Sequence, residues 1–175
     1  MTRPIRHVIT GGPGVGKTTL CIELEKLGWK VVPEAARQVI ATEREKGQGV
    51  FPWTDLKGFQ LLVLRAQLDL EERAGAPAFF DRSVLDGIAY CRVGGIPVPP
   101  ELALAARNAR YDTVFLLDPL PLYGPDSERW EDRDAADRVH QEIEKVYCEH
   151  DYEVIRVPQL TPADRAHFVL DALRK

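Results

Sequence analysis

Short apolar runs alternate with longer stretches of helical spacing along the whole chain. Five apolar runs predict buried strands, at residues 7–10, 30–32, 78–81, 113–118 and 153–157. In the stretches between them, apolar residues recur every three or four positions, which is typical of amphipathic helices. These helices are predicted at residues 18–27, 34–45, 54–74, 84–91, 101–110, 133–150 and from 161 onward. Strands that alternate with helices predict an α/β fold, a three-layer α/β/α sandwich with a five-stranded, mostly parallel sheet.

Length and charge limit the kinds of partner that the chain can have. A length of 175 residues suits a single domain, here 1–175, in which the Pro-rich and charged stretch at about 119–138 resembles a lid. A formal net charge of -4 gives no general attraction to nucleic acid or to an anionic membrane. Three widely spaced cysteines fit neither a zinc site nor a disulfide framework. We therefore expect a cytoplasmic protein without a nucleic-acid or membrane partner. The sequence shows no separate small helical domain and no clear ring-forming arginine finger, so we expect a monomer or homodimer.

The segment after the first predicted strand carries the strongest chemical signal. It has the spacing of glycine, four residues and Gly-Lys-Thr, which forms a phosphate-binding loop between a strand and a helix. Glycines let several backbone N–H groups turn toward an anion, and Lys17 adds a positive charge for the β- and γ-phosphates. The Thr18 hydroxyl is suited to Mg²⁺. The residues expected to contact ATP are Gly11, Gly12, Pro13, Gly14, Val15, Gly16, Lys17, Thr18 and Thr19.

Three acids lie at the ends of predicted strands, and the carboxyl ends of parallel strands share the sheet edge where ligands bind. They are Glu34, Asp81 and Asp118. We favour Asp81 as the second Mg²⁺ ligand beside Thr18, because Arg82 and Ser83 extend its signal. Asp118 is the rival, and it also fits a simple turn at the end of a strand.

Glu34 and the nearby arginines are the candidates for chemistry at an acceptor. Glu34 suits a general base that takes a proton from a substrate hydroxyl, or a first-turn acid favoured only by the helix dipole. Arg37 lies one turn further on, so it either pairs with Glu34 or contacts the substrate. Arg82 is suited to clamp a phosphate or a hydroxyl.

The lid-like stretch carries Arg129, Arg133 and Arg138. Arginines on a lid can close over the phosphates and stabilise negative charge in the transition state, and Arg129 or Arg133 is the better candidate. The acids around them also fit a solvated helix face.

On the long helix before the third strand, Phe59 is able to stack on a base and Gln60 to pair with a base edge. Gln67 and Trp53 are further candidates for the same pocket. Core packing of Phe59 and an exposed position for the glutamines are the commoner outcome for such residues.

Four segments together resemble a family of small P-loop ATPase and kinase-like proteins that are grouped with AAA domains. They are residues 11–19, 31–37, 79–83 and 110–119. The family is related to ribosylnicotinamide kinases, and the middle segments are also similar to deoxyribonucleoside kinases. The resemblance implies that Glu34 is the base, that Asp81, Arg82 and Ser83 serve Mg²⁺ and substrate, and that Phe59 and Gln60 read a base. The chain departs from the nucleoside kinases at Ala35, where they have proline, and at Asp81, where they often have glutamate.

Two functions are consistent with these residues. The first is a small-molecule kinase that transfers the γ-phosphate of ATP to a hydroxyl of a nucleoside-like acceptor. The alternative is a nucleotide-dependent switch, an ATPase or GTPase that changes shape for a protein partner. The chain lacks the Asn-Lys-x-Asp element of guanine-selective GTPases, which favours ATP as the nucleotide.

Overall fold

A computed structural model describes residues 4–47, 49–75, 77–120 and 129–174, with the backbone alone for residues 129–132. The strands are β1 (Arg6–Thr10), β2 (Val31–Val32), β3 (Ala78–Asp81), β4 (Thr113–Leu117) and β5 (Val154–Val157). The helices are α1 (Lys17–Lys26), α2 (Ala35–Glu45), α3 (Leu56–Ala74), α4 (Val84–Val93), α5 (Pro100–Asn108), α6 (Arg129–Glu149) and α7 (Pro162–Ala172).

The strands form one sheet in the order β2-β3-β1-β4-β5. Every strand pairing among the described residues is parallel, and Ile9 of β1 aligns with Asp81 on one side and with Phe115 on the other. The connection after β1 runs to β2 on one side of β1, and the connection after β3 crosses to β4 on the other side. The loop after β1 therefore lies where a crevice opens at the carboxyl edge of the sheet. The α/β prediction is confirmed, and the sheet is parallel throughout its described pairings.

Alternate strand residues build a core on each face of the sheet. Val8 packs with Ile88 of α4 and with Ile143 and Tyr147 of α6 on one face. Its neighbour Ile9 packs on the other face, against side chains of α1 and α7. Burial of each such side chain contributes about 1.5–3 kcal/mol, so both faces hold the sheet edge in place. The predicted three-layer sandwich is therefore confirmed.

Helix α3 begins at Leu56, two residues after the predicted start at residue 54. Asp55 is the N-cap, and its side chain accepts a hydrogen bond from the Gly58 N–H at 2.9 Å. Thr54 lies in a local turn, where its hydroxyl accepts a hydrogen bond from the Phe51 N–H and donates to the Phe51 oxygen. Both side chains are good caps, and the turn decides between them.

Helix α6 begins at Arg129, four residues before its predicted start. It therefore contains the second half of the lid-like stretch, while residues 121–128 lie outside the described residues. Within the described ranges, no helix has both the length and the apolar character that a membrane span requires.

Candidate active site

The phosphate-binding loop connects β1 to α1 at the carboxyl edge of the sheet. Gly16 is the N-cap of α1 with φ 89°, a left-handed conformation that glycine adopts at low cost. Gly16 has no side chain that could accept a hydrogen bond from the first N–H groups of α1, so these groups remain uncapped. Together with the helix dipole, these N–H groups favour an anion at the loop.

Lys17 lies inside the loop, with 7% of the residue exposed. Its Nζ donates hydrogen bonds to the backbone oxygens of Gly11 at 3.0 Å and Gly12 at 2.8 Å. Burial, and then the nearby positive charge of Arg82, lower the pKa of Lys17 to about 8. A phosphate at the loop would favour the charged form of this lysine.

Asp81 and Thr18 lie close to the loop and fit a magnesium ion. Asp81 is 6% exposed, and its Oδ1 has no hydrogen-bond partner among the described residues. Burial, and then the charge of Glu34, raise the pKa of Asp81 to about 6. A carboxylate and a hydroxyl are ligands that Mg²⁺ takes together with phosphate oxygens, so the donor set suits this ion.

The Thr18 hydroxyl accepts a hydrogen bond from Arg37 Nη2 at 3.1 Å. Thr18, Asp81, Glu34 and Arg37 all line one cavity of about 250 Å³, which we call the donor cavity. The rival acid Asp118 does not line it, and accepts a hydrogen bond from Arg156 instead. The placement thus groups Thr18 with Asp81.

Arg82 has an unusual backbone, with φ 73°. This left-handed conformation costs a residue with a side chain on the order of 1–3 kcal/mol, so the surrounding contacts must hold it. Its guanidinium donates to Glu34 Oε1 at 3.0 Å, to Asp86 Oδ1 at 3.2 Å and to the Gly11 oxygen at 3.2 Å. It also lies over the Tyr90 ring. Arg82 therefore ties the phosphate loop to both carboxylates.

A second cavity, of about 200 Å³, lies between α2, α3 and α4, and we call it the acceptor cavity. The predicted residues Glu34, Phe59, Gln60 and Arg82 all line it. Phe59 and Gln60 are 4% and 5% exposed, so Gln60 is not the solvent-facing glutamine of the alternative interpretation. Predicted site residues from three separate segments thus meet in one cavity.

Gln67 and Trp53, the weaker candidates, have different outcomes. Gln67 also lines the acceptor cavity, and its amide donates to Glu71 and to the Arg82 backbone. Trp53 is 66% exposed, does not line the cavity, and stacks on Phe51.

Glu34 lines the donor cavity and the acceptor cavity at once. Its two carboxylate oxygens accept hydrogen bonds at 3.0 Å from different arginines, Oε1 from Arg82 and Oε2 from Arg37. The two arginines fix the orientation of the carboxylate at the boundary between the cavities.

Asp86 is a buried residue that the sequence interpretation did not single out. It accepts hydrogen bonds from the Thr10 hydroxyl at 2.5 Å, the Ser83 N–H at 3.0 Å and the Tyr147 hydroxyl at 2.7 Å. Ser83 and Asp86 form a capping box at the start of α4, so the spacing of serine, two residues and an acid is a signal for the cap. The bonds from Thr10 and Tyr147 join distant parts of the chain and come from the tertiary fold.

Helix α6 rests on the phosphate loop at Gly12. The Gly12 N–H donates to His140 Nδ1 at 3.1 Å, and a Cβ at Gly12 would lie 2.8 Å from the Ala136 oxygen. Burial, and then the charge of Arg156, lower the pKa of His140, which favours the neutral imidazole that accepts this bond. The helix that follows the lid-like stretch is thus in direct contact with the loop.

Gly12→Ala tests this contact. The new methyl group would overlap the α6 backbone, so we expect the free energy of unfolding to fall by about 1–3 kcal/mol and the affinity for ATP to fall with it. Thermal melting with and without ATP measures both effects. Gly28→Ala is the control for ATP affinity: its φ of 86° makes alanine costly for stability, but a Cβ there meets no atom within 4 Å and lies outside the loop, so ATP binding should be unchanged. A Gly12→Ala protein that melts and binds ATP like the wild type would show that α6 does not restrain the loop.

The predicted lid arginines are only partly described. Arg133 approaches Asp137 of its own helix at 3.7 Å, and Arg138 is exposed. The side chain of Arg129 lies outside the described residues. Their contact with a transition state remains a prediction.

Comparison with known proteins places this geometry among related folds. A family model described as an AAA domain matches residues 6–165. No curated protein sequence matches the chain.

Several solved structures share the fold. A structure of NadR in complex with NR superposes with a TM-score of 0.77 at 19% identity, covering 98% of this chain and 51% of that chain. The chain thus spans about half the length of NadR. Deoxyadenosine kinase from M. mycoides with bound dATP gives a TM-score of 0.66 at 17% identity, covering 98% and 100%. Shikimate kinase from Aquifex aeolicus gives a TM-score of 0.56 at 18% identity, covering 97% of this chain and 96% of that chain. At these identities the likeness establishes only the fold that the chain shares with these structures.

Proposed function

The chain belongs to the AAA domain family, and from that premise we propose that it is a kinase that transfers the γ-phosphate of ATP to a hydroxyl of a nucleoside-like acceptor. One observation carries the proposal. The Glu34 carboxylate lines both the donor cavity, with Thr18 and Asp81, and the acceptor cavity, with Gln60 and Arg82. A carboxylate between the phosphate-binding side and a second cavity suits phosphoryl transfer to a hydroxyl, because it can accept the proton of the attacking group.

Each residue has a role in this reaction. The loop N–H groups and Lys17 hold the β- and γ-phosphates, and Thr18 and Asp81 would hold Mg²⁺, which neutralises phosphate charge when bound. The acceptor oxygen forms a bond to the γ-phosphorus as the bond to the β–γ bridging oxygen breaks. Glu34 takes the proton of the acceptor hydroxyl, and ADP leaves with the bridging oxygen. Arg82 and Arg37 keep the Glu34 carboxylate in place through their hydrogen bonds at 3.0 Å.

The charges of the acceptor cavity support an uncharged or cationic acceptor. Among the described residues that line it, the charged groups are Glu34, Asp86 and Arg82. The Arg82 guanidinium already bonds to both carboxylates and to Gly11. The phosphate of a nucleoside monophosphate would therefore lie beside two carboxylates, and the described residues that line the cavity offer no unpaired positive charge to bind it. A hydroxyl of an unphosphorylated acceptor meets no such cost.

Gly87 lies in the interior of α4, where a glycine costs about 1 kcal/mol relative to alanine. A Cβ at this position would lie 3.1 Å from Gln60 Oε1 and 3.2 Å from Leu102 Cδ2. The missing side chain thus leaves space for the Gln60 amide in the cavity wall.

Gly87→Ala is therefore expected to raise the KM for the acceptor by about 10-fold, because the methyl group pushes the amide into the cavity. The KM for ATP stays unchanged, since Gly87 does not line the donor cavity. Steady-state kinetics with each substrate varied in turn measure the two values. In a protein that already carries Gln60→Ala, adding Gly87→Ala should change the KM for the acceptor little further, because the amide that it displaces is absent. Equal rises in both KM values would contradict this role.

A panel of acceptors tests the proposed function. ADP release from ATP and Mg²⁺ is measured without acceptor, and then with nucleosides, ribosylnicotinamide or nucleoside monophosphates. The proposal predicts that an unphosphorylated acceptor raises the rate well above the acceptor-free rate. If no acceptor does so, while ATP or GTP is hydrolysed slowly, the nucleotide-dependent switch is the better account.

A further inference from the structure

Arg165 is a buried arginine of α7 with no part in the proposed chemistry. It is 2% exposed. Its guanidinium donates to three backbone oxygens from separate segments, to Val15 at 2.6 Å, to Asp118 at 2.9 Å and to Pro158 at 2.9 Å. Val15 belongs to the phosphate loop, Asp118 follows β4 and Pro158 follows β5. One side chain thus joins the loop to the ends of two strands.

The charge of Arg165 is not paired with a described carboxylate. Its hydrogen bonds all go to backbone oxygens, and no ion pair within 4.0 Å involves it among the described residues. Asp118 is the acid whose charge acts on Arg165, but its carboxylate accepts a hydrogen bond from Arg156. A buried charge without a counter-ion is costly, and a bound anion nearby offsets part of that cost.

The bond to Val15 also fixes the direction of a loop N–H. The peptide that joins Val15 to Gly16 is planar, and in its trans form the carbonyl oxygen and the N–H point in opposite directions. Arg165 holds the Val15 oxygen on the α7 side, so the Gly16 N–H points away from α7. The contact is close, because a Cβ at Gly16 would lie 3.3 Å from Arg165 Nη1.

We propose that Arg165 is a positioning residue for the phosphate loop. It holds the Val15–Gly16 peptide with the Gly16 N–H directed into the phosphate site, and its buried positive charge favours the bound polyphosphate. This inference rests on the nucleotide binding of the proposed function and does not depend on the identity of the acceptor.

Two variants separate the hydrogen bonds from the charge. Arg165→Gln removes the charge and most of the bonds, while Arg165→Lys keeps the charge but cannot bridge three oxygens. Titration calorimetry with ATP and with inorganic tripolyphosphate measures binding at a temperature where each protein is folded. We expect Arg165→Gln to weaken binding of both ligands by about 10–100-fold, and Arg165→Lys to weaken it by a smaller factor. Arg174→Gln is the control, since Arg174 is an exposed arginine just beyond α7 that pairs with Asp171, and it should leave both affinities unchanged.

Ligand-free melting distinguishes a positioning role from a structural one. A purely structural arginine would lower the melting temperature of the variants but leave the affinity of the folded protein for tripolyphosphate as in the wild type, which would overturn the inference. If Arg165→Gln does not fold, the affinities of Arg165→Lys decide in the same way. A wild-type protein that binds neither ligand would overturn the proposed function and this inference together, whereas wild-type binding with unchanged variants would overturn this inference alone.

Discussion

Exchanging Glu34 for glutamine lowers the rate of phosphoryl transfer by about 10²–10⁴-fold, the usual contribution of a general base. Glutamine keeps the size of the side chain and one oxygen for Arg82 or Arg37, but it cannot take the proton of the acceptor hydroxyl. Affinity for ATP should not fall, because the Glu34 carboxylate lines the donor cavity but offers no N–H group or positive charge to a phosphate.

Single-turnover kinetics measure the rate of transfer, and calorimetry with ATP measures the affinity. Glu45→Gln is the matched control, since Glu45 is an exposed glutamate at the end of the same helix α2. A Glu34→Gln protein that transfers phosphate at the wild-type rate would remove Glu34 as the base. A large loss of ATP affinity would instead assign Glu34 to the nucleotide site.

Exchanging Asp81 for asparagine has opposite effects on stability and on activity. Asp81 is 6% exposed with its Oδ1 unpartnered among the described residues, and its pKa is raised from 3.8 to about 6. Below pH 3.8 the carboxyl is protonated in both the folded and the unfolded protein. Between pH 3.8 and about 6 the unfolded chain loses this proton first, so the free energy of unfolding falls as the pH rises.

The ligand-free Asp81→Asn protein should therefore be more stable than the wild type above pH 6, by on the order of 2 kcal/mol. Its Mg²⁺-dependent transfer should fall by about 10²-fold or more, because an amide is a weaker ligand for Mg²⁺ than a carboxylate. Urea denaturation across the pH range measures the stability gap, and Mg²⁺ titration of the rate measures the metal effect.

Asp118→Asn provides the comparison for the metal site. Asp118 lies outside the donor cavity and pairs with Arg156, so its variant should keep the Mg²⁺ dependence of the wild type. Loss of that dependence in Asp118→Asn, with no loss in Asp81→Asn, would assign the metal to the rival acid. A stability gap that is independent of pH would contradict the buried ionised carboxylate.

Much of the donor side could be predicted because its signal is local. The phosphate loop is one continuous segment, and its glycines, Lys17 and Thr18 lie within eight residues. Glu34 and Asp81 could also be placed, since each follows a strand and parallel strands end at the same edge. Their exact partners could not be derived from that rule.

The contacts that restrain the site could not be predicted, because they join distant parts of the chain. His140 and Gly12 are 128 residues apart, and Arg165 and Val15 are 150 residues apart. Local periodicity shows that α6 and α7 are helices, but not which loop atom each one touches. The choice of Asp55 over Thr54 as the cap of α3 has a similar origin, since both side chains suit the position and a turn decides.

The fate of the γ-phosphate shows whether the donor and acceptor sites meet at Glu34. ATP labelled with ³²P in the γ-position is incubated with the protein, Mg²⁺ and an unphosphorylated nucleoside-like acceptor, and the products are separated. The account predicts that the label moves to the acceptor hydroxyl, and that this transfer is lost in Glu34→Gln. Label that appears only as inorganic phosphate, at a rate independent of every acceptor tested, would contradict it.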